Sequence, residues 1–275
     1  MNPSASRKAI IRTELPSAFT GFRTLLSKEI ERFFRVAGQT ILSPLISSSL
    51  YLLIFGVNLA KRIDIAPGVS YLQFIIPGLV AMGLLNNAFQ NAASSIITSK
   101  FHGDFQDLRV VPLTPLQIVW AYACAATLRG VVIGLGVAMV GQIFHYTQYG
   151  SLLAIHSPLW LLFFAACSGV TFGCLGLCVA IYSRSFDQVS AVSTFVLLPL
   201  IYLGGVFFPL SIMPAFWQVV SLFNPLLYLI NGIRYAFLGM SDISILPVAL
   251  LASGFVLLAY TLALLAVKKG NYGRF

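Results

Sequence analysis

The residues from Phe195 to Gly239 are almost continuously apolar and long enough for two membrane crossings, yet prolines and a glycine pair interrupt them. Each interruption frees backbone groups, which are costly in hydrocarbon unless protein or water satisfies them. We therefore predict one span that ends near Phe208, followed by two short helices that form a re-entrant outer hairpin over residues 209–239. The residues assigned to this hairpin are Pro209, Pro214, Trp217, Asn224, Pro225, Tyr228 and Arg234.

The distribution of basic residues decides between this interpretation and two full crossings. Seven basic residues precede the first apolar run, and three follow the last one. Because Lys and Arg concentrate on the cytoplasmic side of membrane proteins, both termini are expected in the cytoplasm, which requires an even number of spans. If residues 195–239 form one span plus a hairpin, the chain has six spans. If they form two crossings, it has seven.

Composition places the chain among polytopic membrane proteins. Of its 275 residues, 58% are hydrophobic and only 9% are charged, whereas about a quarter of residues are charged in soluble domains. The net charge of +9 would suit nucleic-acid binding, but the basic residues lie in tails and loops, where membrane topology explains them. We therefore expect no nucleic-acid partner. No histidine or carboxylate stands near the cysteines to complete a metal site.

The N-terminal segment, residues 1–37, is expected to be cytoplasmic and to end in an amphipathic helix. From Ser17 to Ala37 apolar residues recur every three or four positions, with charged residues on the other faces. A basic amphipathic helix of this kind lies in the plane of the lipid headgroups. Residues 38–275 are expected to form the six-span transmembrane domain.

The second predicted span, about Gln73 to Thr98, carries a continuous stripe of amide and hydroxyl side chains on one helix face. Polar groups are costly against lipid, so the stripe should turn inward, either toward other helices or toward a substrate path. A buried arginine in the third span is a functional candidate, or else extends to the membrane surface or bonds to carbonyls of a broken helix. The predicted path residues are Asn87, Gln90, Asn91, Ser94 and Arg129.

The segment 99–115 joins the second and third spans and interleaves charged with apolar residues. Its apolar residues can share one helix face while its charged residues stay in solvent. The spacing alone fits two alternatives equally well: an ordinary amphipathic helix in a loop, or a helix that binds a partner protein. The residues concerned are Phe101, Asp104, Phe105, Asp107, Leu108 and Arg109.

Several of these patterns resemble one family. Pro225-Leu226, then Tyr228 and Arg234, fit the signature of ABC-2 type transporter permeases. The segment TFVLLPLIYLGGVFFPLSIMPAFWQ is similar to YadH-type inner-membrane permeases, and the resemblance continues through KEIERFFR, YLQFIIPGL and KFHGDFQDL, covering nearly the whole chain. It implies an all-α polytopic fold like that of type V ABC exporters, in the bacterial inner (plasma) membrane.

The resemblance also implies a function. The chain would be the permease subunit of an ABC exporter for a hydrophobic or amphipathic substrate, such as a lipid, a glycolipid or a drug-like molecule. The amphipathic helix would be the connecting helix and the segment 99–115 the coupling helix, which adds Glu29 and Arg32 to the expected ATPase-coupling residues. The implied partners are a second copy of the chain, two copies of an ABC ATPase, and membrane lipid.

An energy source is missing from the sequence. A Walker A loop places Gly immediately before Lys, and none of the six lysines follows a glycine. The chain is therefore predicted to be no enzyme and to hold no cofactor, with ATP and Mg on the partner subunit. The alternative function is an ion-driven secondary transporter. Such proteins place ionisable groups at mid-membrane, and the predicted spans contain no acidic residue.

Overall fold

The computed structural model describes residues 18–59, 69–104, 111, 113–241 and 243–269. These residues form helices joined by loops, and six of the helical segments are long and apolar enough to cross a membrane. The chain is thus an all-helical, multi-pass membrane protein, which confirms the predicted all-α polytopic class; the interfacial N-terminal helix and the re-entrant hairpin stay predictions.

The six spans overlap the predicted ones along most of their length, and shorter helices precede and follow them. π-helical turns over Leu52–Leu59 extend the second helix, and π-helical turns over Ser193–Leu197 join the sixth to the seventh. In chain order the helices are α1 (Ala18–Arg35), α2 (Ala37–Tyr51), α3 (Tyr71–His102), α4 (Pro115–Tyr149), α5 (Pro158–Tyr182), α6 (Phe186–Val192), α7 (Leu198–Leu203), α8 (Ala215–Leu222), α9 (Pro225–Leu238) and α10 (Ile245–Lys269).

Local capping chemistry sets the ends of α3 and α4. Ser70 and Thr114 each form a capping box with the glutamine three residues later. Pro115 then occupies the first turn of α4, where its missing N–H has no helical partner to lose. At their other ends the two helices stop at Gly103 and Gly150, whose φ angles of 89° and 69° lie in the left-handed region that favours glycine.

The fifth span is irregular near Pro199. Proline removes the backbone N–H that would bond to the carbonyl four residues earlier, and the π-helical turns Ser193–Leu197 lie immediately before α7. The span begins at Phe186 because Ser185 caps α6 by accepting a hydrogen bond from the Gln188 N–H. Helix α6, the π-helical turns and α7 together make one span of 18 residues.

Helix α3 is the centre of the bundle. Most of its apolar length is buried, chiefly against α4 and α5, with α9 as a further neighbour. In contrast, α2, the α6–α7 span and α10 leave most of their apolar surface uncovered within the chain. Surfaces of that composition face either lipid or a second protein chain.

Glycines bring these central helices into close contact. A Cβ added at Gly130 would lie 2.8 Å from the Leu84 carbonyl oxygen, so α4 meets the backbone of α3 there. A Cβ added at Gly176 would lie 2.3 Å from the Phe89 carbonyl oxygen, so α5 does the same on another side. Gly130 and Gly134 are four residues apart, a spacing typical of close helix approach, whereas Gly176 is not one of a pair of glycines with that spacing.

Gly176→Ala is expected to destabilise the full-length chain by about 1–3 kcal/mol, because the added methyl group meets backbone that cannot rotate away. Gly254→Ala in α10 is the matched control, because a Cβ there meets nothing within 4 Å and alanine is the better helix former. Unfolding of both variants by SDS in mixed micelles measures the difference. Equal stability would contradict the close packing of α3 and α5.

Helices α8 and α9 meet at an angle of 90° across a short break. Asn224 caps α9 by accepting a hydrogen bond from the Leu226 N–H, and its Nδ2 donates to the Leu200 carbonyl in α7. Arg234 donates to the carbonyl of Gly205, in the turn after α7, and its guanidinium lies 3.9 Å from the centroid of a phenylalanine ring in α3. Polar side chains of α9 thus hold the bent pair against the bundle.

The two ends of the α8–α9 pair lie at the same end of the bundle. Before α8, the Phe207 carbonyl accepts a hydrogen bond from the Tyr71 hydroxyl at the start of α3, with an O···O distance of 3.0 Å. Near the end of α9, the Phe237 carbonyl accepts a hydrogen bond from the His156 N–H, just before α5. Whether the pair re-enters the membrane on that side stays a prediction. Pro209 is the first residue of the predicted hairpin. It is buried, and along the chain it lies between Phe207 and Phe237.

Candidate coupling and substrate site

Helix α1 rests on the bundle through one face. Leu25 and Phe33 are buried there, against α4, whereas Phe19 and Phe34 are exposed on the other side. The exposed phenylalanines are compatible with a helix that lies in the headgroup region. This docking places the polar residues of the same inner face opposite α3.

Glu29 and Arg32 lie on this inner face and form an ion pair, with Arg32 Nε 3.2 Å from Glu29 Oε2. Glu29 also accepts a hydrogen bond from the Ser95 hydroxyl at 2.8 Å. Arg32 donates to the backbone and side-chain oxygens of Asn91, at 2.8 and 3.2 Å, and to the Ser94 hydroxyl at 3.3 Å. Of the two coupling residues predicted in α1, Arg32 therefore engages the polar stripe of α3, and Glu29 bonds to the neighbouring Ser95.

These contacts bear on the predicted ATPase-coupling role of Glu29 and Arg32. The helical period groups Arg32 with the solvent-facing charges of α1, but the structure turns it inward because α3 offers amide and hydroxyl acceptors. Glu29 is only 1% exposed, so its carboxylate is engaged within the chain. A coupling role for either residue would act through the position of α1 against α3, and that role stays a prediction.

Arg129 of α4 contacts the same stripe one helical turn away. It is 7% exposed, and its Nη2 donates to the Asn87 side-chain oxygen at 3.4 Å. Its guanidinium carbon lies 5.7 Å from the centroid of the Phe33 ring in α1, within the range of a cation–π contact. Arg129 thus reaches an amide and an aromatic ring, instead of the membrane surface or a broken helix.

The remaining stripe residues also meet other segments. Gln90 donates to the Ser193 hydroxyl in the fifth span at 3.1 Å, while Asn91 and Ser94 accept from α1. The interhelical hydrogen bonding that the sequence predicts as one alternative is therefore present. Lining of a substrate path, the other alternative, stays a prediction.

A polar groove of about 210 Å³ opens beside this network, between α2, α3 and α4. Helix α2 contributes hydroxyl groups to it and α3 contributes amides, and no charged side chain lines it. Such a groove suits a neutral, hydroxyl-bearing group. Its polar lining consists of Ser43, Ser47, Ser48, Tyr51, Asn86 and Asn87.

Lys100 fastens the end of α3 to the end of α5. It is 5% exposed, and its Nζ donates to the carbonyl oxygens of Ala180, Ile181 and Ser183 at 2.9, 2.5 and 3.0 Å. The last carbonyls of a helix lack helical partners, and a cation there also interacts favourably with the helix dipole. Sequence reasoning missed this role, because no local pattern links a lysine to carbonyls some 80 residues away.

The structure places only part of the predicted coupling segment. Phe101 is exposed at the end of α3, with its ring centroid 6.5 Å from that of Phe186 in α6. Asp104 is exposed just beyond. That Phe101 and Asp104 contact the ATPase subunit stays a prediction. Four further residues of the segment lie outside the described part of the chain, namely Phe105, Asp107, Leu108 and Arg109.

Several of the residues predicted for the hairpin lie at the start of a helix or at the bend of the α8–α9 pair. Pro214 precedes α8, and Pro225 occupies the first turn of α9. Across the bend, the Tyr228 hydroxyl donates to the Leu222 carbonyl at 2.7 Å. Trp217 is exposed on α8, as suits an aromatic residue at a membrane interface.

Comparison with known proteins covers the whole of this site. The ABC-2 type transporter family model matches residues 20–238, which run from α1 to the end of α9. Inner membrane transport permease YadH of Escherichia coli (strain K12) is 35% identical over 253 residues, or 92% of this chain and 96% of the relative. Nodulation protein J of Rhizobium leguminosarum bv. viciae is 29% identical over 211 residues, with coverages of 74% and 77%. Nodulation protein J of Rhizobium meliloti is 26% identical over 206 residues, with coverages of 74% and 76%.

Proposed function

The chain belongs to the ABC-2 type transporter family, and on that basis we propose that it is an exporter permease that moves a hydrophobic or amphipathic substrate outward. It is a transmembrane subunit of an ABC transporter in the inner membrane, it works with an ABC ATPase subunit, and it is a transport subunit rather than an ATPase. The proposed assembly contains two copies of the chain and two ATPases that bind ATP and Mg. Both termini of the chain lie in the cytoplasm.

One observation carries this proposal: the two elements expected to meet the ATPase are fastened to the same central helix. Glu29 and Arg32 tie α1 to α3, and the last turn of α3 leads directly into the segment 99–115. A displacement of either element by the ATPase therefore moves α3. Because α3 is packed against α4 and α5, its movement repositions the core of the permease.

Transport then follows as alternating access. Closure of the ATPase pair displaces α1 and the segment 99–115, the spans rock, and a path opens between the two permease copies toward the outer side. The uncovered surfaces of α2, the α6–α7 span and α10 are available for the second copy. The α8–α9 pair, with both ends at one end of the bundle, supports a re-entrant hairpin on the outer side.

Two cavities support an amphipathic substrate such as a lipid or glycolipid. The groove beside Asn87 offers hydroxyl and amide groups. A second cavity, of about 360 Å³, lies between α3, α4, α5 and α9 and has an almost entirely apolar lining that includes Leu84, Val131 and Leu162. The first suits a polar headgroup and the second an acyl chain.

An ion-driven secondary transporter is less well supported. Transporters of that class place ionisable groups near the middle of the membrane. In the spans that the structure describes, the one carboxylate is Asp187, which is exposed in the first turn of α6.

Asp104→Lys combined with Asp107→Lys is expected to lower permease-stimulated ATP hydrolysis about tenfold, because reversed charges on a docking surface weaken the complex. The measurement compares the ATPase that copurifies with the permease, alone and with the permease in liposomes. Asp242→Lys, which follows the proposed outer hairpin in the sequence, is the control and should leave stimulation unchanged. Full stimulation and ATP-driven transport in the double variant would contradict the assignment of segment 99–115 as the coupling segment.

A further inference from the structure

A buried group of charged and amide side chains lies where α1, α3 and α4 meet. We name it the arginine cluster; its members are Glu29, Arg32, Asn87, Asn91 and Arg129. All but Arg32 are more than nine-tenths buried. The cluster contains two guanidinium groups and one carboxylate, so one positive charge has no negative partner among the described residues.

Two buried donors of the cluster also lack acceptors. In the described part of the chain, neither Arg129 Nε nor Asn91 Nδ2 has a hydrogen-bond partner. Arg32 and Arg129 contact amides that lie one helical turn apart on α3, so their like charges face the same part of that helix. A buried donor without an acceptor costs about 1–3 kcal/mol, and a buried charge without a partner is costly as well. One anionic group beside the two arginines would satisfy the donors and neutralise the excess charge.

The depth of the cluster indicates where such an anion would come from. Helix α3 has 32 residues and is therefore about 48 Å long, longer than the ~30 Å hydrocarbon core of a bilayer. Asn91 lies roughly 16 Å before the end of this helix by the same rise per residue. Arg32 is 26% exposed, so the cluster is open on the side of α1, the helix expected in the headgroup plane. The cluster thus lies near the headgroups of the cytoplasmic leaflet.

We propose that the arginine cluster binds the anionic group, a phosphate or a carboxylate, of an amphipathic molecule in the cytoplasmic leaflet. Arg32 and Arg129 supply the charge, and Arg129 Nε and Asn91 Nδ2 donate hydrogen bonds to the anion. The groove beside Asn87 adjoins this site and offers hydroxyl and amide partners to the rest of the headgroup. That the bound molecule is cargo and that its leaflet is the cytoplasmic one rest on the proposed function; the binding itself does not.

Native mass spectrometry of the full-length chain in detergent tests the proposal, with phosphatidylglycerol and phosphatidylcholine as anionic and zwitterionic probes. The chain is expected to retain phosphatidylglycerol about tenfold more strongly, and Arg129→Gln should bring the two lipids close to parity. Arg35→Gln removes an equal charge from the exposed face of α1 and should change nothing. Displacement of phosphatidylglycerol by equimolar inorganic phosphate would overturn the assignment to a lipid headgroup.

A second variant covers the case in which Arg129→Gln fails to fold. Asn91→Asp keeps the oxygen that accepts from Arg32 and loses only the unpartnered Nδ2 donor. Because it supplies an anion inside the cluster, it should lower the preference for phosphatidylglycerol about tenfold while raising the stability of the chain. An unchanged preference, or an equal loss in Arg35→Gln, would overturn the proposal. The readout is lipid binding, so a failure of export in the reconstituted complex is a separate result.

Discussion

Lys100→Met is expected to destabilise the full-length chain by about 3 kcal/mol or more, because three carbonyls at the end of α5 lose their donor. Methionine keeps a similar length but donates no hydrogen bond. The same substitution should reduce permease-stimulated ATP hydrolysis, since the start of the segment 99–115 is then no longer fastened to α5. SDS unfolding in mixed micelles and the ATPase assay in liposomes measure the two effects.

Two variants separate this contact from a general effect of charge. Lys268→Met removes an exposed lysine at the end of α10 and should change stability by less than about 0.5 kcal/mol. Lys100→Arg keeps the charge and presents several donors, so it should recover part of the lost stability. If Lys100→Met were as stable as Lys268→Met, the hydrogen bonds from Lys100 to the end of α5 would not contribute to the stability of the chain.

The features predicted correctly from the sequence are those that neighbouring residues determine. Long apolar runs predict the six spans, and short-range chemistry predicts how several helices begin. Thr114 and Gln117 have the spacing of a capping box, and Asn224 followed by Pro225 is typical of a helix start; the structure has α4 and α9 begin there. These patterns are readable because a cap bonds to backbone only two or three residues away.

The contacts missed by sequence reasoning join residues that are far apart along the chain. The polar stripe of α3 predicts an inward-facing surface, but no pattern identifies α1 as its partner, 59 residues away at Arg32 and Asn91. Lys100 and Gly176 act through the backbone of other helices. Every residue has a backbone carbonyl, so the sequence does not show which carbonyl a side chain will contact.

Glu29→Gln is expected to destabilise the chain by about 3 kcal/mol, because it removes the carboxylate that neutralises Arg32 in a mostly buried ion pair. Glutamine keeps the shape and can still accept the hydrogen bond from Ser95, so the effect reports the charge. Glu31→Gln is the matched control on the same helix. Its ion pair with Arg35 is exposed, and such pairs contribute about 0–1 kcal/mol.

A double-mutant cycle with Arg32→Gln isolates the ion pair that Glu29→Gln breaks. The double variant should be more stable than the sum of the two single losses predicts, because it leaves no charge of the pair unpaired. Strict additivity would contradict the pairing of the two residues.

The same substitution, Glu29→Gln, is expected to strengthen lipid binding although it weakens stability. With Glu29 neutral, the excess positive charge of the arginine cluster grows. Glu29→Gln should therefore bind phosphatidylglycerol more tightly than the unaltered chain, and added phosphatidylglycerol should restore part of its stability by mass action.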